Sequence, residues 1–302
     1  MDRLDEMAMF VAVADGRSFA QAARRLGVSP AQASKLVARL EDRLKTRLLN
    51  RTTRDVSLTD AGRAYLQNAR ALVEQFEALE ASVQENAGPR GLLKLSAPIA
   101  FGAVELEGAL LDFARAFPEV SLEVSFTDRM TNLVDEGFDA AVRITRLPDS
   151  SLVARRLSET QIVTVASPDY LARFAAPRTP AELAERETIL DLNLAEPRVW
   201  TFGRGSGRQD VRVTGRLRFA GAGPCLAAAR RGFGVARVPA FVAAEDLRLG
   251  RVQAILRGDE PDPLPIQVVY PHARHLPAKV RALVDFLVGR YAGEPPWGRG
   301  WS

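Results

Sequence analysis

Residues 18–44 read SFAQAARRLGVSPAQASKLVARLEDRL, and two signals in that stretch decide the fold of the N-terminal part. Ser18-Phe19-Ala20-Gln21 is a capping box, in which the serine oxygen takes the amide three residues on and the glutamine is placed to reach back. It predicts a helix over Phe19–Leu26, ended by Gly27 as the left-handed residue. Ser29-Pro30-Ala31-Gln32 repeats the device, with proline at the first helical position, where its missing donor costs nothing. Turned at about 100° per residue, this second helix puts Ala33, Val37, Leu40 and Leu44 inward and Ala31, Gln32, Lys35 and Arg39 outward. Upstream, Leu4, Met7, Phe10, Val11 and Ala14 make an apolar stripe closed by Asp15-Gly16, which predicts a helix ahead of these two.

Two helices joined by a Gly27-Val28-Ser29 turn read as a helix-turn-helix, whose second helix enters the DNA major groove N-terminus first. The alternative is a plain three-helix bundle, and charge argues against it. From Arg17 to Arg54 ten Lys or Arg face two acids, Glu41 and Asp42, a balance of +8 in a chain whose net charge is +4. The remainder therefore sums to −4, and that asymmetry is the footprint of a polyanion-binding module. Arg47 to Leu58 reads as two short strands around a polar, basic tip. In such a wing Arg47, Arg51 and Arg54 are placed for phosphates, with Thr52 and Thr53 as neighbouring donors.

Phe10, Ser18-Phe19, Ala22-Ala23, Leu26-Gly27-Val28-Ser29, Ser34, Leu40-Glu41, Leu44, Asn50-Arg51-Thr52 and Leu58-Thr59-Asp60-Ala61-Gly62 together resemble the N-terminal domain of the LysR-type transcriptional regulators. The resemblance implies that Ser29, Pro30, Ala31, Gln32, Ser34 and Lys35 lie at the groove, with Arg51 to Arg54 at the wing. The family usually has Gln, Arg, Gly and Phe where this chain has Pro30, Lys35, Lys45 and Leu49. A lysine offers a point charge where arginine would fork onto guanine.

From Thr59, a plausible N-cap, no Gly or Pro after Gly62 interrupts the chain until Gly88-Pro89. Tyr65, Ala69, Leu72, Phe76, Leu79 and Val83 fall at the 4, 3, 4, 3, 4 spacing of a heptad seam, on a helix of about 26 residues and roughly 39 Å. Dimerisation along that seam is the expectation, and it matches a two-fold symmetric operator. In the resembled family the segment is the linker helix of a homodimer, and homotetramers built from such dimers are common.

Beyond the hinge at 85–91 the pattern becomes α/β. Strands are expected at Leu92–Ser96, Val120–Phe126, Ala140–Ile144, Ile162–Ala166 and Ile266–Tyr270. Helices are expected over Phe101–Phe117, after Ser167-Pro168, after Thr179-Pro180-Ala181-Glu182 and from Pro277. Such alternation predicts mostly parallel sheets. The stretch from Gly91 to about Tyr291 resembles the effector-binding domain of the same family, similar to periplasmic solute-binding proteins, on Ser96-Ala97-Pro98-Ile99-Ala100-Phe101-Gly102, Glu136-Gly137-Phe138-Asp139, Ser167-Pro168-Asp169-Tyr170-Leu171 and Gly232-Phe233-Gly234-Val235. The expected architecture is an all-α-dominated winged helix-turn-helix (1–59), a linker helix (60–87) and a two-lobed, periplasmic-binding-protein-like α/β domain (88–302). Lobe I is expected at about 90–160 and 267–302, and lobe II at about 161–266.

Ligands of open α/β domains sit at strand carboxyl ends against helix N-termini that favour anions. The loops at Ala97–Ala100, Thr127–Arg129 and Leu192–Leu194 meet that description. The resemblance implies Pro98, Ile99, Ala100, Asp128, Asn193, Ala222 and Gly223 beside the cleft, with Arg129 on the same loop as Asp128. Many relatives offer a neutral hydroxyl near Asp128, where a carboxylate would repel carboxylate effectors; either Arg129 or Arg143 offsets it, or the effector is neutral or cationic.

Composition narrows the remainder. With 47% apolar and 26% charged residues the 302-residue chain is not disordered, and one cysteine with two histidines excludes disulfide-stapled and zinc-finger folds. No apolar run reaches the roughly 18 residues of a membrane span, and MDRLDEMAMF is acidic where a secretory signal is basic, so a soluble cytoplasmic protein is expected. Gly203 to Arg208 reads as a hairpin tip rather than a phosphate loop, His272 and His275 lack further metal ligands, and Cys225 lacks a resolving thiol. No catalytic constellation or cofactor fingerprint stands out. The expectation is a sequence-specific transcriptional regulator of promoter DNA, modulated by a small-molecule effector, with itself and RNA polymerase as candidate partners. A small-molecule-binding α/β receptor, or an enzyme with a basic docking arm, is the alternative.

Overall fold

A computed structural model describes residues 3–51, 56–83, 88–146, 152–272 and 276–298; for 51, 74–75, 77–83 and 296 only the backbone is described. The chain divides into two compact units whose main boundary falls between Gly88 and Pro89.

In the first unit α1 (Arg3–Gly16) is buried all round its middle, from Met9 to Val13, because three other helices pack on it. That is why the single stripe read from sequence omits Met9 and Val13, which are 1% and 0% exposed. Helix α2 (Phe19–Arg25) is capped by Ser18, whose Oγ accepts from the Gln21 amide, and Gly27 turns the chain at φ +67°. Helix α3 (Pro30–Leu44) is capped in the same way by Ser29 and the Gln32 amide at 3.2 Å. Its buried face is Ala33, Leu36, Val37 and Leu40; Leu36 joins because α3 is flanked on two sides. Each large aliphatic so buried contributes about 1.5–3 kcal/mol. Lys45 ends α3 in the left-handed region at φ +52°, at the position where the resembled family uses glycine.

Strands β1 (Leu49–Arg51) and β2 (Val56–Leu58) pair antiparallel, Leu49 opposite Leu58 and Arg51 opposite Val56. Helix α4 (Asp60–Val83) follows, with 24 residues spanning about 36 Å. The Thr59 hydroxyl accepts from the Gly62 amide at 2.9 Å and donates to the Arg47 and Leu48 carbonyls, so one side chain caps α4 and ties it to the strand pair. A Cβ on Gly62 would stand 2.0 Å from the Leu48 carbonyl oxygen, which explains glycine inside a helix.

The second unit is built on two five-stranded sheets. Its strands are β3 (Gly91–Ala97), β4 (Val120–Phe126), β5 (Ala140–Ile144), β6 (Leu152–Thr160), β7 (Ile162–Ala166), β8 (Glu187–Asp191), β9 (Val199–Phe202), β10 (Gln209–Arg212), β11 (Thr214–Phe219), β12 (Val235–Pro239), β13 (Gln253–Ile255) and β14 (Leu264–Pro271). The first sheet has order β4-β3-β5-β14-β6 and the second β11-β8-β12-β7-β13, with β9 and β10 a separate hairpin. The expectation of mostly parallel sheets holds in strand direction: four of the five strands in each sheet run the same way, and β14 and β7 are the exceptions. In the first sheet β14 runs antiparallel to β5 and β6, and in the second β7 runs antiparallel to β12 and β13. Both sheets are mixed because the chain passes between lobes twice and each crossing brings in a strand of opposite direction. The return to the first sheet begins at Leu264, ahead of the expected 267. The helix after β3 contains one π-helical turn at Gly102–Leu106, and Pro180–Glu185 forms a 3-10 turn in place of the expected α-helix.

Candidate nucleic-acid interface and ligand cleft

The outward face of α3 is where the sequence puts it. Ser29, Pro30, Ala31, Lys35 and Arg39 are exposed, and Gln32 and Ser34 half-buried. Among the described residues neither Lys35 nor Arg39 has a carboxylate within ion-pair distance, whereas Arg43 pairs with Glu6 at 3.0 Å. Glu41, an acid inside the cationic run, serves the architecture of the unit. Its Oε1 accepts from the Leu48 and Leu49 amides at 2.8 and 3.0 Å, fixing the strand pair to α3. Thr52, Thr53 and Arg54 lie outside the described residues, as does the Arg51 side chain.

The six heptad positions of α4 divide. Tyr65 packs edge-on to Phe10, with ring centroids 5.6 Å apart, and Ala69 is 1% exposed, so both serve the unit's own core. Leu72 and Phe76 are 51% and 41% exposed and remain open to a partner; the side chains of Leu79 and Val83 lie outside the described residues.

In the second unit a cavity of about 780 Å³ lies between the two sheets. Pro98, Ala100, Asp128, Arg129, Asn193 and Ala222 line it. Ile99 and Gly223 are not in its wall: the Ile99 side chain is 52% exposed, and Gly223 sits in the first turn of the helix Ala222–Arg230. Asp128 is a hydrogen-bonded carboxylate with no cation paired to it among the described residues. Its Oδ1 accepts from the Ile99 amide at 3.0 Å, and its Oδ2 accepts from Asn193 Nδ2 at 2.7 Å. Across the cleft Asp191 Oδ1 accepts from the Asn193 and Gly221 amides, both at 2.9 Å. The helix starts at Ile99 and Ala222 are thus each met by a carboxylate of the chain itself.

Neither arginine weighed as an offset pairs with Asp128. Arg129 reaches Glu136 and holds that carboxyl below the usual carboxylate range. Arg143, 6% exposed, donates to Ser96 Oγ at 3.3 Å, to the Val142 carbonyl at 2.9 Å and to Thr131 Oγ1. Burial lowers its pKa from the ordinary arginine value. Sequence reasoning missed Arg237 on β12, which also lines the cavity. Its Nη2 donates to the Thr201 carbonyl at 2.7 Å and its guanidinium lies 4.6 Å from the Phe202 ring centre. Burial brings its pKa down to about 10. Cys225 is fully buried, and burial with nearby Asp191 pushes its thiol up to about 12.

Residues 4–63 match the pattern of the bacterial regulatory helix-turn-helix proteins of the lysR family, and residues 86–292 match the LysR substrate-binding domain. The chain belongs to the LysR family. It is a DNA-binding transcriptional regulator with a C-terminal effector-binding domain of two α/β lobes. Among LysR relatives, the HTH-type transcriptional regulator PtxR of Pseudomonas aeruginosa is 36% identical over 97% of this chain and 94% of its own length. An HTH-type transcriptional repressor from another strain of that organism is 34% identical over 98% and 94%. CrgA, a LysR-type transcriptional regulator from Neisseria meningitidis, has a solved structure that aligns with a TM-score of 0.63 at 26% identity, covering 96% of this chain and 99% of that one. Among the described residues no helix is long and apolar enough to cross a membrane.

Proposed function

We propose that this LysR-type regulator acts as a cytoplasmic homodimer, joined along the outer part of α4 through Leu72 and Phe76, and that such dimers pair into tetramers on promoter DNA. Two copies of α3 enter successive major grooves of a two-fold symmetric operator. Ser29, Pro30, Ala31, Gln32, Ser34 and Lys35 meet base edges and neighbouring phosphates, with Arg39 farther along the same face. Arg51, Thr52, Thr53 and Arg54 hold the flanking backbone, which sets register without reading sequence. A small effector in the cavity between the C-terminal lobes biases two arrangements of the assembly, and its output is altered promoter occupancy, sensed by RNA polymerase, rather than turnover.

The observation that carries this reading is the outward face of α3, where Lys35 and Arg39 are exposed without an ion-pair partner among the described residues. A structural surface would be expected to interleave acids there; this one presents cations to a polyanion. Footprinting of the full chain on the DNA flanking its own gene tests it. We expect protection of an interrupted palindrome with half-sites one helical turn apart or a multiple of it. Equal affinity for that DNA and for bulk calf-thymus DNA at physiological ionic strength would contradict the proposal.

A further inference from the structure

Resting on the reading that the cavity is the effector site, we infer that the effector is an organic anion whose charged group is received by Arg237 from the second lobe and Arg143 from the first. Three of the five arginines in the cavity wall are already paired. Arg129 is paired with Glu136, Arg146 with Asp262 at 3.7 Å, and Arg208 with Asp210 at 3.9 Å. Asp128 and Asp191 are each held by two N–H donors, and Glu196 is exposed. Among the described residues Arg143 and Arg237 have no carboxylate within ion-pair distance; Glu136, paired with Arg129, acts on Arg143 only from beyond it, and no carboxylate acts on Arg237.

Arg237 is the more telling of the two. A guanidinium carries five N–H donors, and here one bond is made, from Nη2 to the Thr201 carbonyl. Its Nε is fully buried with no acceptor. The rings of Phe202 and Trp200, with centres 4.6 and 5.8 Å from the guanidinium carbon, offer π faces but no counter-charge. A largely desolvated cation without an anion is costly, and a ligand anion would offset that cost. A carboxylate matches a guanidinium with two parallel hydrogen bonds, and that match is available to a ligand in the cavity.

The chain also closes the other anion positions. The Ile99 amide is taken by Asp128, and the Gly221 amide just ahead of the helix Ala222–Arg230 is taken by Asp191, so both helix starts face a carboxylate of the chain. A ligand carboxylate is therefore directed away from those amides and toward the strand-borne arginines. Ile162, Val238, Pro239 and Phe241 form apolar wall beside Arg237, and about 780 Å³ suits a small molecule. The ligand class is a compact organic acid with an apolar body.

The test uses the full chain without DNA. Titration calorimetry compares benzoate, phenylacetate and succinate, each against its neutral amide, in the native protein and in Arg237→Gln, Arg237→Lys and Arg143→Gln. We expect at least one acid to bind at least about tenfold tighter than its amide. Arg237→Gln should cost at least about tenfold, Arg143→Gln less, and Arg237→Lys should restore only part because ammonium lacks the fork. Amides binding as well as acids, undiminished affinity in a folded Arg237→Gln, or no acid binding up to roughly 10 mM would each overturn the inference. Should Arg237→Gln not fold, the acid-to-amide comparison in the native chain decides. Acid binding through Arg237 that leaves operator affinity unchanged would sink the regulatory reading and spare this one. A neutral ligand that alters operator affinity would do the reverse.

Discussion

Asn193 donates through Nδ2 to Asp128 Oδ2 at 2.7 Å, a hydrogen bond that joins the loop after β8 in one lobe to the loop after β4 in the other. Asp128 also accepts the Ile99 amide, and the Asn193 backbone is itself fixed by Asp191. Two residues that the family resemblance puts at the cleft thus latch it. A hydrogen bond to a charged group contributes about 1.5–3 kcal/mol, and solvent at this exposed site moves it to the low end or below. We expect Asp128→Ala to destabilise the C-terminal domain more than Asn193→Ala, because it releases the Ile99 amide as well. A double-mutant cycle by chemical denaturation should give a coupling of about 0.5–1.5 kcal/mol. Additive effects within about 0.3 kcal/mol would remove the latch from the account.

Glu41 separates electrostatics from architecture in the DNA-binding unit. If its charge merely diluted the cationic run, Glu41→Gln would tighten DNA binding. Because its Oε1 holds the Leu48 and Leu49 amides, we expect the opposite. Glu41→Gln should lose stability by about 1–2 kcal/mol and weaken binding to all sequences, and Glu41→Ala should lose more. Melting temperature together with fluorescence anisotropy on operator and random duplexes checks both; tighter binding by Glu41→Gln would contradict the anchoring role.

Two backbone positions should respond in opposite directions. A methyl on Gly62 meets the Leu48 carbonyl oxygen at 2.0 Å, so we expect Gly62→Ala to cost more than about 2 kcal/mol by forcing α4 off the strand pair. Lys45 sits at φ +52°, where a side chain costs about 1 kcal/mol and glycine does not, so Lys45→Gly should stabilise by roughly that amount. Urea denaturation of the two variants reads both signs.

Much of this was legible in the sequence for a physical reason. Caps are local, and Ser18, Ser29 and Pro30 fixed two helix starts without reference to the rest of the chain. The seam on α4 was not separable by spacing, because a helix that packs first on its own module and then on a partner keeps one periodicity throughout; Tyr65 and Ala69 went to the core, while Leu72 and Phe76 stayed open. The one reversed strand in each sheet, β14 and β7, was not legible because direction is set by the crossings between lobes, and alternation within a strand carries no sign. In the cleft, Pro98, Ala100, Asp128, Asn193 and Ala222 came from the family pattern, and Arg129 from the loop that carries Asp128. Arg237 escaped notice because an arginine in Val235-Ala-Arg-Val-Pro239 reads as a solvent-facing strand position until the β9 aromatics cover it.

Cys225 should be inert in the native protein. Burial and Asp191 both disfavour the thiolate and push the pKa up to about 12, so at pH 8 the group stays a protonated thiol, and lowering the pH further only removes thiolate. We expect no reaction with a disulfide reagent at pH 8 until denaturant is added, and then one equivalent. Rapid labelling of the folded chain would contradict the buried placement.

The central claim is that α3 reads bases while the strand-pair tip grips phosphates, and Lys35→Ala against Arg54→Ala measures it most directly. Competition binding across a set of single-base operator variants at several salt concentrations should show Lys35→Ala losing about 1–3 kcal/mol on the preferred operator and flattening base preference. Arg54→Ala should weaken all sequences alike and reduce the salt slope by about one. If the two substitutions give the same profile of sequence and salt dependence, the division of labour between α3 and the tip is wrong.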